Sequence, residues 1–264
     1  MLTPPHFALV RPPDSSMVSA LSQQPQAPAI DVTRALAQHR LYVDALRAAG
    51  LEVTVLPPAS GLPDACFVQD VALVLPEGVV LAWPAERARQ GEVAAIRAHL
   101  PADRPWVEIS LPATLEWGDV LRIDTTFYAG QSARTNAAGA EQMRRALVPW
   151  GYEVEPLPVP QGLHLLSGVN SLGRAPSAPD GAGVLVARPA YAGLSQFAGL
   201  DAIVVPEHEA PAANCLAIGD TVIVPAGFPQ TAAVLWQRGF KVLSVPLGEF
   251  AKADGGVTCL SIVW

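Results

Sequence analysis

Five short strand-like phrases recur along the chain, each closing a small unit. GLEVTVLP begins at Gly50, WVEISLP at Trp106, GYEVEPLPV at Gly151, GLDAIVVPE at Gly199 and GFKVLSVPL at Gly239. Their spacing of roughly 40 to 55 residues falls close to the range of repeated supersecondary units. Three phrases follow amphipathic stretches. Leu36, His39, Val43 and Leu46 share one helical face, as do Val93, Ile96 and Leu100, and Met143, Leu147 and Trp150. Gly50, Gly151 and Gly239 stand where these helices and a later one would stop, because glycine takes the left-handed cap conformation without a steric penalty. Ahead of several helices lie hairpin signals: Asp70–Leu75 with Val79–Trp83, Val120–Ile123 with Thr126–Ala129, and Leu216–Ile218 with Thr221–Pro225.

Each unit therefore reads hairpin, helix, strand. About five of them fill residues 1–264, which leaves little for a second domain. Two architectures suit the pattern: a ring in which each unit buries its open edge against the next, or an ordinary open α/β sheet with coincidental spacing. A ring would place residues from distant units around one central pocket.

Bulk properties narrow the function. The formal net charge is −7, which disfavours nucleic acid and anionic membranes and fits a small cationic ligand. The start of the chain does not read as a signal peptide. No apolar run is long enough to imply a membrane span. Three cysteines, Cys66, Cys215 and Cys259, lie far apart without a CxxC or CxxH pair. Neither a disulfide framework nor a zinc site is expected, and a reducing cytoplasm is the default.

Four segments carry reactive or polar residues at strand-to-loop junctions: LPDACFVQD, TLEWGDVLR, GLHLLSGVNS and KADGGVTCLSIVW. Cys259 follows Gly255 and Gly256 and precedes a terminal strand, so its backbone can approach a ligand closely. A buried core cysteine is the alternative, and Cys66 and Cys215 fit that better. His164 lies between Leu163 and Leu165, where a core histidine is the commoner outcome. His6, His39, His99 and His208 offer less. Glu116 precedes Trp117-Gly118-Asp119 at a turn. A carboxylate there suits a planar cation, though a single acidic residue is more commonly a surface turn residue. Asp64 and Asp70 invite the same two readings. Together, a thiol, an imidazole and a carboxylate can perform nucleophilic chemistry without a metal.

In DACFVQD, LEWGDVL, FYAGQSARTNAAGA, GLHLLS, AANCLAIGDTVIVP and KADGGVTCLS the chain resembles the dimethylarginine dimethylaminohydrolases of the guanidine-modifying superfamily. The resemblance implies a five-bladed α/β propeller and hydrolysis of a methylated arginine to citrulline and an amine, with no cofactor. It implies Cys259 as nucleophile, His164 as general acid/base and Glu116 as the carboxylate holding the guanidinium. By the same resemblance Asp70 is a second guanidinium carboxylate, Asp64 and the Ala253 carbonyl lie near the α-ammonium, and Arg134 binds the α-carboxylate.

Four positions depart from the family pattern. Gln69 stands where an acidic residue is usual, and Trp83 where a second carboxylate-binding arginine is expected. Both fall at the amino-acid end of the substrate. Trp117 replaces a glycine and narrows the space near Glu116, and Leu166 replaces a lysine. These departures keep open the same chemistry on another guanidino compound, or a non-catalytic guanidine-binding protein. A homodimer is also open. The polar, proline-rich stretch Pro12–Pro28 is a candidate lid.

Overall fold

All five phrases form the third strand of a three-stranded sheet in the computed structural model, which describes residues 5–24 and 26–264. The first sheet holds β1 (Phe7–Val10), followed in the chain by α1 (Val32–Ala48) and β2 (Glu52–Val55). The second holds β3 (Ala72–Leu75), β4 (Gly78–Leu81), α2 (Gln90–Arg97) and β5 (Trp106–Glu108). The third runs β6 (Val120–Ile123), β7 (Thr126–Gln131), α3 (Ala137–Leu147) and β8 (Glu153–Pro158). The fourth runs β9 (Val169–Arg174), β10 (Gly183–Ala187), α4 (Pro189–Ala192) and β11 (Asp201–Val204). The fifth runs β12 (Leu216–Ile218), β13 (Thr221–Pro225), α5 (Pro229–Gln237) and β14 (Lys241–Val245). A short helix α6 (Gly248–Ala251) and β15 (Ser261–Val263) complete the chain.

Every sheet repeats one pattern. The first two strands pair antiparallel and the third joins the second in parallel. A parallel neighbour needs a crossover, and the helix of each unit supplies it. The first sheet keeps the pattern by borrowing: β15 pairs antiparallel with β1, Ala8 opposite Val263, and β1 pairs in parallel with β2. The chain thus closes on itself as a five-bladed α/β propeller, and the open-sheet alternative is set aside.

The helix faces follow from the apolar spacing, with one adjustment. In α1 the buried face is Ala35, Gln38, His39, Tyr42, Val43, Ala45 and Leu46, so Leu36 sits at its edge. Asp31 caps this helix by accepting from the Arg34 N–H. Gly50 and Gly151 take φ of +95° and +89°, the left-handed conformation expected where their helices end. The hairpin of the fourth blade has its turn signal, Pro179-Asp180-Gly181, within a longer connection. Residues 175–182 join its strands as a longer loop.

The turns leading into β15, β3, β6, β9 and β12 are all 3-10 turns, and neighbouring turns around the axis touch. They place Cys259, Asp70, Glu116 to Asp119, His164 and Asn214 around a common centre. Apolar clusters fill the space between blades and beneath the helices. Leu46 is fully buried in the cluster under α1. Leu46→Ala is expected to cost about 2–5 kcal/mol by urea denaturation, whereas Leu41→Ala on the exposed face of α1 should stay within about 0.5 kcal/mol.

Candidate active site

Cys259, His164, Asp70, Asp64, Arg134 and Ala253 line one pocket, and Arg89, Leu21 and Asp254 are also in its wall. Residues from four blades meet there because each sits at the turn before, or the loop beside, an inner strand. Cys259 is 8% exposed and its sulfur accepts a hydrogen bond from the Gly256 N–H at 3.4 Å. Burial, with Asp70 nearby, pushes its thiol up to about 12. Cys66 and Cys215 are buried in apolar clusters and do not line the pocket, as expected of core cysteines.

His164 and Glu116 form a buried ion pair, Nε2 to Oε2 at 2.9 Å. Burial pulls the imidazole pKa down, but Asp70, Glu116 and Asp119 outweigh it and raise it to about 9. Glu116 moves the other way. Burial raises it, but His164, Arg89 and Arg134 hold it at about 2. The ring therefore carries a proton at neutral pH. Its Nδ1 lies 3.8 Å from Asp70 Oδ1, too long for a hydrogen bond, which leaves that nitrogen facing the pocket's acid.

Gly118 explains how these groups come so close. A Cβ there would lie 2.6 Å from Asp70 Oδ1 and 2.7 Å from His164 Nδ1. The Gly118 N–H instead donates to Asp70 at 3.2 Å. Asp119 fixes the next turn, accepting from the Leu165 N–H at 3.1 Å and from the Ser132 hydroxyl at 2.6 Å.

Glu116 is wholly buried and lies behind the pocket wall. Its oxygens accept from His164, from Arg89 Nη1 at 3.2 Å and from Arg134 Nη1 at 3.3 Å. The expectation of direct contact with a guanidinium thus meets a carboxylate already held by three cations. Asp70 is the acid that reaches the pocket itself. Asp64 also lines it, but both its oxygens accept from the Leu21 N–H. Leu21 belongs to the stretch expected as a lid, of which Pro25 lies outside the described residues. Gln24 Nε2 ties the same stretch to Asp254 Oδ1 at 2.7 Å.

Two expected substrate contacts are corrected. Trp83 pairs with Leu115 as an isolated bridge, packs beside the cluster around Trp117 and does not line the pocket. Gln69 turns away as well, donating to the Trp117 carbonyl at 2.9 Å. Trp117 is itself buried in that cluster, so its indole does not narrow the pocket. Leu166 is core, since an apolar side chain satisfies the space between the third and fourth blades.

Arg89 escaped the sequence reading. It stands six residues beyond Trp83, the position at which an arginine is expected. Its guanidinium is 4% exposed. It donates Nε and Nη2 to Glu92, at 3.1 and 2.9 Å, and Nη1 to Asp70 at 2.9 Å and to Glu116. The Arg–x–x–Glu spacing in RARQGE was its signal, but such pairs usually lie on solvated helix faces. Asp70, Glu116 and His164 each bring a ligand atom within 4.8 Å of the others, a spacing a metal could use. Nitrogen cations already meet these acids: Arg89 bonds both, and His164 bonds Glu116.

Comparison with known proteins identifies the family. A family model described as N,N dimethylarginine dimethylhydrolase, eukaryotic, matches residues 20–162. The N(G),N(G)-dimethylarginine dimethylaminohydrolase of Pseudomonas aeruginosa is 34% identical over 96% of this chain and 97% of its own. The chain belongs to the dimethylarginine dimethylaminohydrolase family. The Streptomyces coelicolor member is 35% identical over 98% of this chain and 97% of its own. Among solved structures, a cysteine-to-serine variant of the Pseudomonas enzyme with citrulline superposes at a TM-score of 0.93, with 32% identity and full coverage of both chains. A dimethylarginine dimethylaminohydrolase adduct with S-methyl-L-thiocitrulline gives 0.92 at 32% identity, over 98% of this chain and 100% of that one. Among the described residues no helix is long and apolar enough to cross a membrane.

The ion pair has a pH signature. A histidine pKa above its ordinary value of about 6.5 stabilises the fold fully below that value, and the contribution is lost as pH rises through about 9. Carbon-13 NMR titration of His164 should give a midpoint near 9. Glu116→Gln should move that midpoint down by more than one unit; an unchanged midpoint would refute the pairing.

Proposed function

We propose that this member of the family hydrolyses N-omega-methylated arginine to citrulline and methylamine or dimethylamine, residues 1–264 acting as one catalytic domain. The observation that carries the reading is a single pocket walled by a thiol, an imidazolium and a carboxylate, with arginines beside them. Asp70 suits the guanidinium, through charge-assisted hydrogen bonds to its N–H groups. Arg134 suits the α-carboxylate: among the described residues, beyond Nη1, held by Glu116, only a 4.0 Å approach to Glu86 engages its guanidinium. Arg89 is the second cation in the wall, which answers the departure at Trp83. Its own donors hold Asp70 and Glu116 in place.

Substrate charge is what activates the sulfur. A thiol near 12 is ionised to about one part in 10⁵ at pH 7. A unit cation about 4 Å away at an effective dielectric of about 20 contributes about 4 kcal/mol, or about 3 pKa units. Guanidinium bound on Asp70 thus raises the thiolate fraction about a thousandfold. The sulfur then attacks the guanidinium carbon. His164, already protonated, gives its proton to the departing methylated nitrogen, and the C–N bond breaks. A thiouronium remains on Cys259. Water adds to its carbon and His164 takes one of the water's protons; the C–S bond then breaks, the second proton passes to the departing sulfur, and citrulline and the resting thiol are released.

Cys259→Ser is expected to abolish turnover while the protein keeps its melting temperature, read by citrulline and amine release. Retained activity would end the assignment. Arg134→Met should raise KM for methylarginine about tenfold or more with a smaller change in kcat, since it removes binding made equally in both states. In a panel of arginine, methylarginines, agmatine and guanidino acids, a preference for compounds without an α-carboxylate would remove Arg134 from this role.

A further inference from the structure

Four of the five turns around the axis contribute Cys259, Asp70, Glu116 to Asp119, and His164. The fifth, which ends at Asn214 before β12, lies behind the pocket wall, as the Glu116 turn does, and carries none of these groups. Asn214 is nevertheless 6% exposed and hydrogen-bonded on both sides. Its Oδ1 accepts from the Thr258 N–H at 2.9 Å, in the turn that carries Cys259. Its Nδ2 donates to the Leu166 carbonyl at 3.1 Å, in the turn that follows His164. A second contact joins Nδ2 to the Thr258 hydroxyl at 3.1 Å. Backbone groups fix which way this amide points, because an N–H can meet only the oxygen and a carbonyl only the NH₂ group.

We propose that Asn214 is a positioning residue that sets the separation of His164 and Cys259 by bridging the two turns that carry them. The amide is the one neutral side chain with a donor and an acceptor of this reach; aspartate keeps the acceptor and loses the donor. Two neighbours reinforce the bridge. Asn170 on β9 donates to the same Leu166 carbonyl at 2.7 Å and to the Ala213 carbonyl at 2.8 Å, locking the residue before Asn214 to the histidine turn. Gly256 leaves room for the amide, since a Cβ there would come within 2.4 Å of the Asn214 side chain. Asp70 and Arg134 hang from other blades and owe nothing to this bridge. Loss of Asn214 therefore disturbs the geometry of the two reacting groups and leaves the binding groups in place. Misplacement by about 1 Å can cost about a hundredfold in rate.

The inference rests on the hydrolysis proposed above, and the test separates the two. Steady-state kinetics of wild type and Asn214→Asp are compared on the best guanidine of the panel, alongside the rate of Cys259 alkylation by iodoacetamide, which needs the sulfur alone. The bridge predicts kcat lower by about 10- to 100-fold in N214D, KM within about twofold, and an alkylation rate within about threefold. A kcat within twofold of wild type overturns the bridge, as does a KM that rises in step with the loss, or an alkylation rate that falls in step with kcat. Should N214D fail to fold, Asn170→Ala is read in the same way, with a kcat loss of threefold or more at constant KM expected and no loss overturning it. A wild type that turns over no guanidine overturns the hydrolysis and the bridge together, whereas an active wild type with a normal variant overturns the bridge alone.

Discussion

A pocket built from scattered turns exists only if the ring closes, and the ring closes through the pairing of β15 with β1. That pairing completes the first sheet with a strand from the far end of the sequence. It brings the Cys259 turn beside the turn of Asp70 and opposite the rest of the site. Without it the first sheet has an open edge and the nucleophile has no fixed address. Each blade buries its apolar faces only against its neighbours, so closure also satisfies the interior as a whole.

Charge sets the second constraint. Acids crowd this centre: Asp64, Asp70, Glu92, Glu116 and Asp119 are all nearly fully buried. Such a cluster is tolerated because Arg89, Arg134 and His164 bond Asp70, Glu92 and Glu116, while neutral donors meet Asp64 and Asp119. Removing one partner from a buried set of this kind leaves an uncompensated charge, which is far more damaging than the pair is stabilising. The same arrangement divides the chemistry. It keeps the imidazole protonated and the thiol neutral, a resting state ready to donate a proton but not to attack until a cation arrives.

Much of this was legible in the sequence. The five strand phrases identified the parallel third strands, because glycine caps and β-branched runs report local backbone preference. Cys259, His164 and Asp70 line one pocket, but their own neighbours left core or surface readings open, and only the family resemblance singled them out together. Other features were not legible, for a common reason: they depend on which turn meets which. Arg89 drew no notice, because Arg–x–x–Glu pairs usually lie on solvated helix faces, and only the fold buries it against Asp70 and Glu92. Trp83 and Gln69 looked like substrate contacts because sequence position does not reveal side-chain direction. The fourth hairpin was missed because a long loop replaces the tight turn. Asn214 carried no local mark of its importance, since both its partners lie more than forty residues away.

The closing strand has a consequence for assembly. Strand partners so distant in sequence demand a large loss of chain entropy before any contact rewards it, which makes such pairings late events in folding. Blades two to four can bring imidazole and carboxylates together by contacts between successive units. The thiol enters only when the last segment docks on the first. A half-assembled molecule therefore holds a charged cradle with no means of forming a covalent bond, so reactivity is withheld until the architecture is complete.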